Sequence, residues 1–588
     1  MQDTYTQDFS HNITKIIEIY NSILVELMNK QQNKVDNNLL FDSAGISKTF
    51  MEALGKVWSN PEYLFQQQLK FSENFLGLWG NSLMKFLGET SLSTFSASNK
   101  DKRFKDPAWQ ENFFYDFIKQ TYFLAAEWVE EVIKNTKDLD KKNQDKTIFY
   151  LRQFISALAP TNFIFTNPAV IKETIDTKCE NIVKGMQNFL NDLKKSNHFL
   201  NISTNDSTAY EVGKNLAVTP GKVIYQNDII QLIHYTPTQK ENYAVPILII
   251  PPFINKYYIL DLTPENSFVK WLLDQGHSVF LISWVNPTKK HRNKNFEDYM
   301  QEGVIASINA IEKAIGAKEV SAIGYCIGGT LLACSLAYMA AHKDNRVKSA
   351  TFLTTLTDFS EVGELGLFID EEQIQIIEQQ MKEVGYFDGN NMATTFSLLR
   401  ANDMIWSFFV SNYLLGKDPM PFDILYWNSD STRLAEKTYS FYLRNMYKDN
   451  LLVKKNGITL ADTKIDLSKI NIPCYMLSAI EDHIVPWKAT YKATKIFKKV
   501  KFVLSGSGHV AGVVNHPSKG KYCYWENDEL ASNPQDWFSA TTQVAGSWWP
   551  NWHEWQKQFA GKMTIAKKPE KGKLKAKEDA PGSYVRIK

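Results

Sequence analysis

The stretch GYCIGGT at residues 324–330 sets one thiol among glycines. The preceding EVSAI reads as a short apolar strand and the following TLLACSLAYMAAHK as a helix, so Cys326 falls on a tight strand–turn–helix corner. A helix N-terminus carries unpaired N–H groups and the positive end of a dipole, and both favour a thiolate over a thiol. Gly324 and Gly328 leave room for a sharp turn, and the Ile327 backbone N–H would face the site as one oxyanion donor. Such residues suit nucleophilic attack on an acyl carbon. The plainer reading, a buried structural cysteine, fits Cys179, Cys334, Cys474 and Cys523 better.

A nucleophilic thiol needs a base and a group that orients the base. The strand IPCYMLSAI runs into EDHIVPW, which puts Asp482 at its C-terminal end; VKFVLS runs into GSGHVAG, which puts His509 in a glycine-flanked loop. The chain order nucleophile, acid, histidine is that of α/β-hydrolase sheets. Glu481 competes with Asp482, and chain order alone does not choose between adjacent acids. His483 competes with His509, although side chains of neighbouring residues diverge on an extended segment, and His516 lies beyond the expected turn. A second oxyanion donor is expected from PPFINKYYILDL, the loop after the strand PILII, with the Ile254 N–H preferred over that of Phe253.

These loops require a sheet. From about residue 223, β-branched runs alternate with amphipathic helices, which predicts a mostly parallel sheet with helices on both faces. The expected fold class is α/β: an α/β-hydrolase catalytic domain over 216–588, preceded by an α-helical N-terminal domain over 1–215. The alternation breaks at about 358–440, where aromatic and Met residues crowd together; this reads as a cap insertion offering an apolar access route, or as a helical subdomain with its own core. Between residues 11 and 30, Ile13, Ile16, Ile17, Tyr20, Ile23, Leu24 and Leu27 share one helix face, suited to a partner helix or to a hydrophobic particle. The segment NKDKRFKDPAW (99–109) reads as a charged connection, SWWPNWHEW (547–555) as core anchoring, and the Lys-rich tail (about 564–588) as an extended or loosely ordered arm.

Composition narrows the function classes. With 588 residues, of which 44% are hydrophobic and 22% charged, the chain is a globular protein of more than one domain or of one enlarged domain. A net charge of +2 does not argue for nucleic acid, and five cysteines without CxxC or His spacing do not suit a disulfide framework or a metal site. The longest apolar run, AVPILIIPPFI, is too short and too rich in proline to span a bilayer, and the first residues lack a secretory pattern, so a cytoplasmic protein is expected.

Together GYCIGG, PPFINKYYILDL, LYWNSDST (425–432), EDHIVPW, SGHVAGVVN (507–515) and SWWP resemble the long single-chain class I polyhydroxyalkanoate synthases, as do DKRFKDPAW and APTNFIFTNP nearer the N-terminus. The resemblance implies polymerisation of (R)-3-hydroxyacyl-CoA with release of CoA, with no cofactor beyond the CoA thioester substrate. It also implies a homodimer working at the surface of a polyester granule, and the Tyr325 and Ile327 pattern implies 3-hydroxybutyryl-CoA as the main substrate. The residue chemistry agrees, since a thiolate exchanges readily with a thioester and the acyl enzyme stays activated. A thioesterase or intracellular polyester depolymerase would use the same three residues with water as acceptor, and a non-catalytic granule-binding protein would need only the amphipathic helix.

Overall fold

In the computed structural model, residues 2–32, 43–87, 101–196 and 201–588 are described. The chain forms two compact units: Met1–Asp206 with Thr395–Met420, and Ser207–Thr394 with Pro421–Lys588.

The first unit is helical. Its long helices are Gln2–Gln32, Ser43–Trp58, Pro61–Phe86, Phe113–Lys134, Lys141–Ala157 and Glu180–Lys195. Polar caps begin several of them: the Asn60 side chain accepts from the Tyr63 N–H and Asp140 from the Asn143 N–H, each meeting a donor that the first turn leaves unpaired. Ala53, Val57, Val132, Ile133 and Ile148 form one small core, and Ile23, Leu190 and Leu193 form another. Of the expected charged connection, Asn99 and Lys100 lie outside the described residues; the rest forms two short helical turns with Phe104 and Trp109 buried in edge contact.

Residues 358–440, read from the sequence as a cap or a helical subdomain, are divided between the units, and the N-terminal stretch of the helical unit runs to Asp206. Thr395–Met420 packs on Glu180–Lys195: the Tyr413 hydroxyl donates to Asp192 Oδ2 at 2.7 Å, and Asn181 Nδ2 donates to the Leu414 carbonyl at 2.8 Å. A Cβ at Gly185 would come within 1.9 Å of the Tyr413 carbonyl oxygen, so this approach requires glycine.

The second unit is built on an eleven-stranded sheet. In chain order its strands are β1 (Gly221–Gln226), β2 (Ile230–Tyr235), β3 (Ile247–Ile250), β4 (Val279–Trp284), β5 (Val320–Tyr325), β6 (Val347–Leu353), β7 (Cys474–Ala479), β8 (Val500–Ser505), β9 (Cys523–Glu526), β10 (Thr542–Ala545) and β11 (Glu578–Asp579). They lie in the order β10-β9-β8-β7-β6-β5-β3-β4-β2-β1-β11. The pairs from β4 through β8 are parallel, and the outer pairs on both sides are antiparallel. The central strands β3, β4, β5 and β7 are buried along their whole length, as expected for parallel strands covered on both faces. Trp548, Trp549 and Trp552 are buried against Phe268, matching the core role expected of SWWPNWHEW.

The Lys-rich tail is not a loose arm. Met563–Ile565 pairs with Glu241–Tyr243, Glu578–Asp579 adds the edge strand β11 to β1, and Val585 is buried. Its few apolar residues concealed this, because a chain added at a sheet edge is held largely by backbone hydrogen bonds.

Candidate active site

Three parallel strands deliver the three candidate side chains. β5 ends at Tyr325, and Cys326 turns the chain into the helix Ile327–Ala341 with φ 53° and ψ −125°. That left-handed conformation is costly for a residue with a Cβ and recurs where a side chain must be thrust out of a turn. Its surroundings hold it: the Cys326 N–H donates to the Leu353 carbonyl at 2.9 Å, and the following turn nearly touches β3 and the residue after it. A Cβ on Gly328 would lie 2.3 Å from the Ile250 carbonyl oxygen and 2.5 Å from that of Pro251. The corner therefore packs directly on the start of the loop that carries Ile254. Ile327 is the first residue of its helix, and among the described residues no acceptor takes its N–H.

Asp482 follows β7. Its Oδ1 accepts the N–H groups of Ile484 at 2.9 Å and Val485 at 2.8 Å, and its Oδ2 lies 2.7 Å from His509 Nδ1. The carboxylate is closed off from solvent, and the imidazole retains a tenth of its exposure. His509 follows β8. The Tyr325 hydroxyl donates to the His509 carbonyl at 3.1 Å, and the two rings stack with centroids 5.7 Å apart. Burial opposes the charged imidazolium, but the charges of Asp482 and Cys326 and the hydrogen bond to Asp482 outweigh it, raising the His509 pKa from 6.5 to about 10. The ring is thus hydrogen-bonded to the carboxylate and lies within electrostatic reach of the thiol, as a proton shuttle requires.

The competing residues are placed elsewhere. Glu481 is exposed, and His516 closes a local turn by bonding Ser518. His509, not its rival His483, is the imidazole paired with Asp482. Burial pushes the thiols of Cys334 and Cys474 up to about 12, as suits structural cysteines. Among the described residues no His, Cys, Asp and Glu group is arranged to hold a metal ion.

Comparison with known proteins adds to this geometry. Residues 100–272 match the family described as "Poly-beta-hydroxybutyrate polymerase (PhaC) N-terminus", and residues 245–515 match the alpha/beta hydrolase fold. The chain is 44% identical over 540 residues to the poly(3-hydroxyalkanoate) polymerase subunit PhaC of Rhizobium meliloti, a match covering 92% of this chain and 88% of that protein. The chain belongs to the poly(3-hydroxyalkanoate) polymerase family. Other polymerases of the family agree: that of Methylorubrum extorquens is 43% identical over 538 residues (91% of this chain, 89% of that one). The Cupriavidus necator subunit is 37% identical over 545 residues (92% and 91%).

The polymerase site holds two residues that sequence reasoning missed. Tyr442 is buried and Tyr447 half-buried, their rings meet edge to face with centroids 5.2 Å apart, and both lie within electrostatic reach of Cys326; desolvation is the main reason both hydroxyl pKa values are raised. Their signal in the sequence was the aromatic crowding around residue 440, which did not single out either ring. The tryptophans of SWWP also do more than fill the core. Trp548 Nε1–H is shared between the Gly512 and Val513 carbonyls at 3.0 and 3.2 Å, and Trp549 Nε1–H reaches Val513 at 2.9 Å, pinning the turn just after His509.

Proposed function

We propose that this polymerase joins (R)-3-hydroxyacyl units from CoA thioesters, 3-hydroxybutyryl-CoA foremost, through an acyl enzyme on Cys326. The observation that carries the reading is a thiol at the strained corner after β5, within electrostatic reach of a His509 that is hydrogen-bonded to a closed-off Asp482. The sulfur attacks the thioester carbon while His509 holds the thiol proton. Collapse of the tetrahedral intermediate breaks the bond to the CoA sulfur, which leaves with that proton as CoASH. The 3-hydroxyl of the next unit then gives its proton to His509 as its oxygen attacks the acyl-Cys326 carbon. An ester C–O bond forms, the C–S bond breaks, and the cysteine recovers its proton. The backbone N–H groups of Ile327 and Ile254 hold the developing oxyanion.

Asp482 acts through His509 in this scheme. Its Oδ1 is occupied by two backbone N–H groups, its Oδ2 faces the imidazole, and the carboxylate is closed to solvent. That favours orientation of the base over direct attack on a substrate hydroxyl. A thioester intermediate keeps enough activation to acylate a hydroxyl, which an ester on serine would retain less well.

The chain works at a polyester surface in the cytoplasm as a homodimer. Support for an apolar partner comes from Pro61–Phe86, where Phe65, Leu69, Leu76, Trp79, Leu83 and Phe86 are all about half exposed or more on one helix. No helix among the described residues is long and apolar enough to cross a membrane. The deciding experiment incubates the chain with (R)-3-hydroxybutyryl-CoA and follows both CoA release and insoluble polymer. Stoichiometric free 3-hydroxybutyrate without polymer would overturn the polymerase reading in favour of a thioesterase.

A further inference from the structure

The motif LYWNSDST at 425–432 has no part in the acyl-transfer scheme, yet three of its side chains converge on one loop. Trp427 Nε1–H donates to the Lys256 carbonyl at 2.6 Å. Asp430 pairs through Oδ1 with the buried Lys256 ammonium at 2.9 Å and accepts the Tyr258 hydroxyl at Oδ2, also at 2.9 Å. The Thr432 hydroxyl accepts the Asn255 N–H at 2.7 Å and donates to the Phe253 carbonyl at 3.1 Å. Thr432 is itself fixed from behind: a Cβ on Gly389 would come within 2.4 Å of its carbonyl oxygen, and the next N–H, of Arg433, donates to Asn286 Oδ1 at 2.9 Å.

The Phe253 carbonyl shares a peptide plane with the Ile254 N–H. In a trans peptide the C=O and N–H vectors oppose one another, so a donor that captures the carbonyl also aims the N–H the other way. Pro251 and Pro252 stiffen the approach to this peptide, and Asn255 just beyond it adopts φ 65°, a left-handed conformation that needs a partner to hold it. We propose that Thr432 is a positioning residue for acyl transfer: its hydroxyl locks the Phe253–Ile254 peptide so that the Ile254 N–H points at the oxyanion, with Asp430 and Trp427 bracing the loop behind it.

The proposal rests on the acyl-enzyme reading and on Ile254 as oxyanion donor. Its test separates oxyanion stabilisation from the nucleophile's own reactivity in the full-length chain. 4-Nitrophenyl butyrate reads acylation of Cys326 without polymerisation, iodoacetamide reads the thiol alone, and (R)-3-hydroxybutyryl-CoA reads turnover. Thr432→Val should slow acylation by about 10- to 100-fold through kcat, with KM and the alkylation rate within about twofold of the parent. Thr432→Ser keeps the hydroxyl and should restore acylation. Acylation of Thr432→Val at the parent rate, a parallel fall in alkylation, or failure of serine to rescue would each overturn the proposal. Failure of the polymerase reading looks different: the parent chain is acylated by the ester but makes no polymer from the CoA thioester, and the comparison of Thr432 variants is still read in full.

Discussion

Replacing Asp482 with asparagine tests the core of the site. The carboxylate oxygen lies 2.7 Å from His509 Nδ1, and its charge is the first of the influences that overcome burial in raising the His509 pKa from 6.5 to about 10. A net shift of that size, left after the opposing cost of burial, corresponds to about 5 kcal/mol of preference for the imidazolium. Asparagine removes the charge and can turn its amide N–H toward Nδ1, which drives the ring proton to Nε2. The nitrogen facing the thiol then already carries a proton and can no longer accept one. Loss of the Asp482 charge together with the wrong tautomer predicts a fall in kcat of about 10³- to 10⁴-fold, with KM little changed. The assay is rapid-quench CoA release from (R)-3-hydroxybutyryl-CoA, resolving a first turnover from later ones. Acylation and elongation should fall together, since both pass through His509. A first turnover that survives while later ones fail would refute the reasoning and assign Asp482 to the substrate hydroxyl directly; a fall of less than tenfold would separate His509 from Asp482 altogether.

Other changes read other links. Burial works against the His509 proton while Asp482 and Cys326 hold it, so the stability it contributes is complete below about pH 6.5 and declines as pH rises toward about 10. Urea unfolding of the parent and His509→Gln across that window should converge as pH rises; divergence would reverse the sign. Gly328→Ala forces a methyl to 2.3 Å from the Ile250 oxygen and should cost about 3–5 kcal/mol in the same assay. Trp549→Phe removes one of two indole donors to the Val513 carbonyl, predicting a loss of about 1 kcal/mol with kcat lowered more than KM is raised. Deleting residues 578–588 strips β11 from β1 and should lower the apparent Tm, whereas a truly loose tail would leave it unchanged.

The parts of the fold that were legible are those where burial writes a pattern. The strands from β1 to β8 are rich in β-branched and apolar residues, and β5 runs into a glycine corner whose crowding excludes most other side chains. β9, β10 and β11 were not legible, because short strands at or next to a sheet edge are held by backbone pairing and carry mixed side chains. The division of the 358–440 insertion was hidden for a similar reason: Thr395–Met420 joins the helical unit through Gly185, Asn181 and Asp192, three residues with no distinguishing local pattern. Adjacent acids were indistinguishable by chain order, but the turn discriminates between them. Asp482 Oδ1 receives the N–H groups two and three residues ahead, the short-range bond for which aspartate is the right length and glutamate too long.

Motifs that carry no reactive group gain a physical account from the same geometry. The proposed acyl transfer at Cys326 needs two loops held still: the one bearing His509 and the one bearing Ile254. A loop carbonyl free to reorient would carry its neighbouring N–H or side chain with it. SWWP supplies indole donors to the Gly512 and Val513 carbonyls, and LYWNSDST supplies an indole, a carboxylate and a hydroxyl to residues 253–258. Each donor comes from a segment remote in sequence and buried in the sheet's own core or against it, so its position is set by packing rather than by the loop it serves. In the proposed scheme Cys326, His509 and Asp482 supply the chemistry, while the neighbouring tryptophans, Asp430 and Thr432 supply the fixed geometry in which a strained, half-buried cysteine stays aligned.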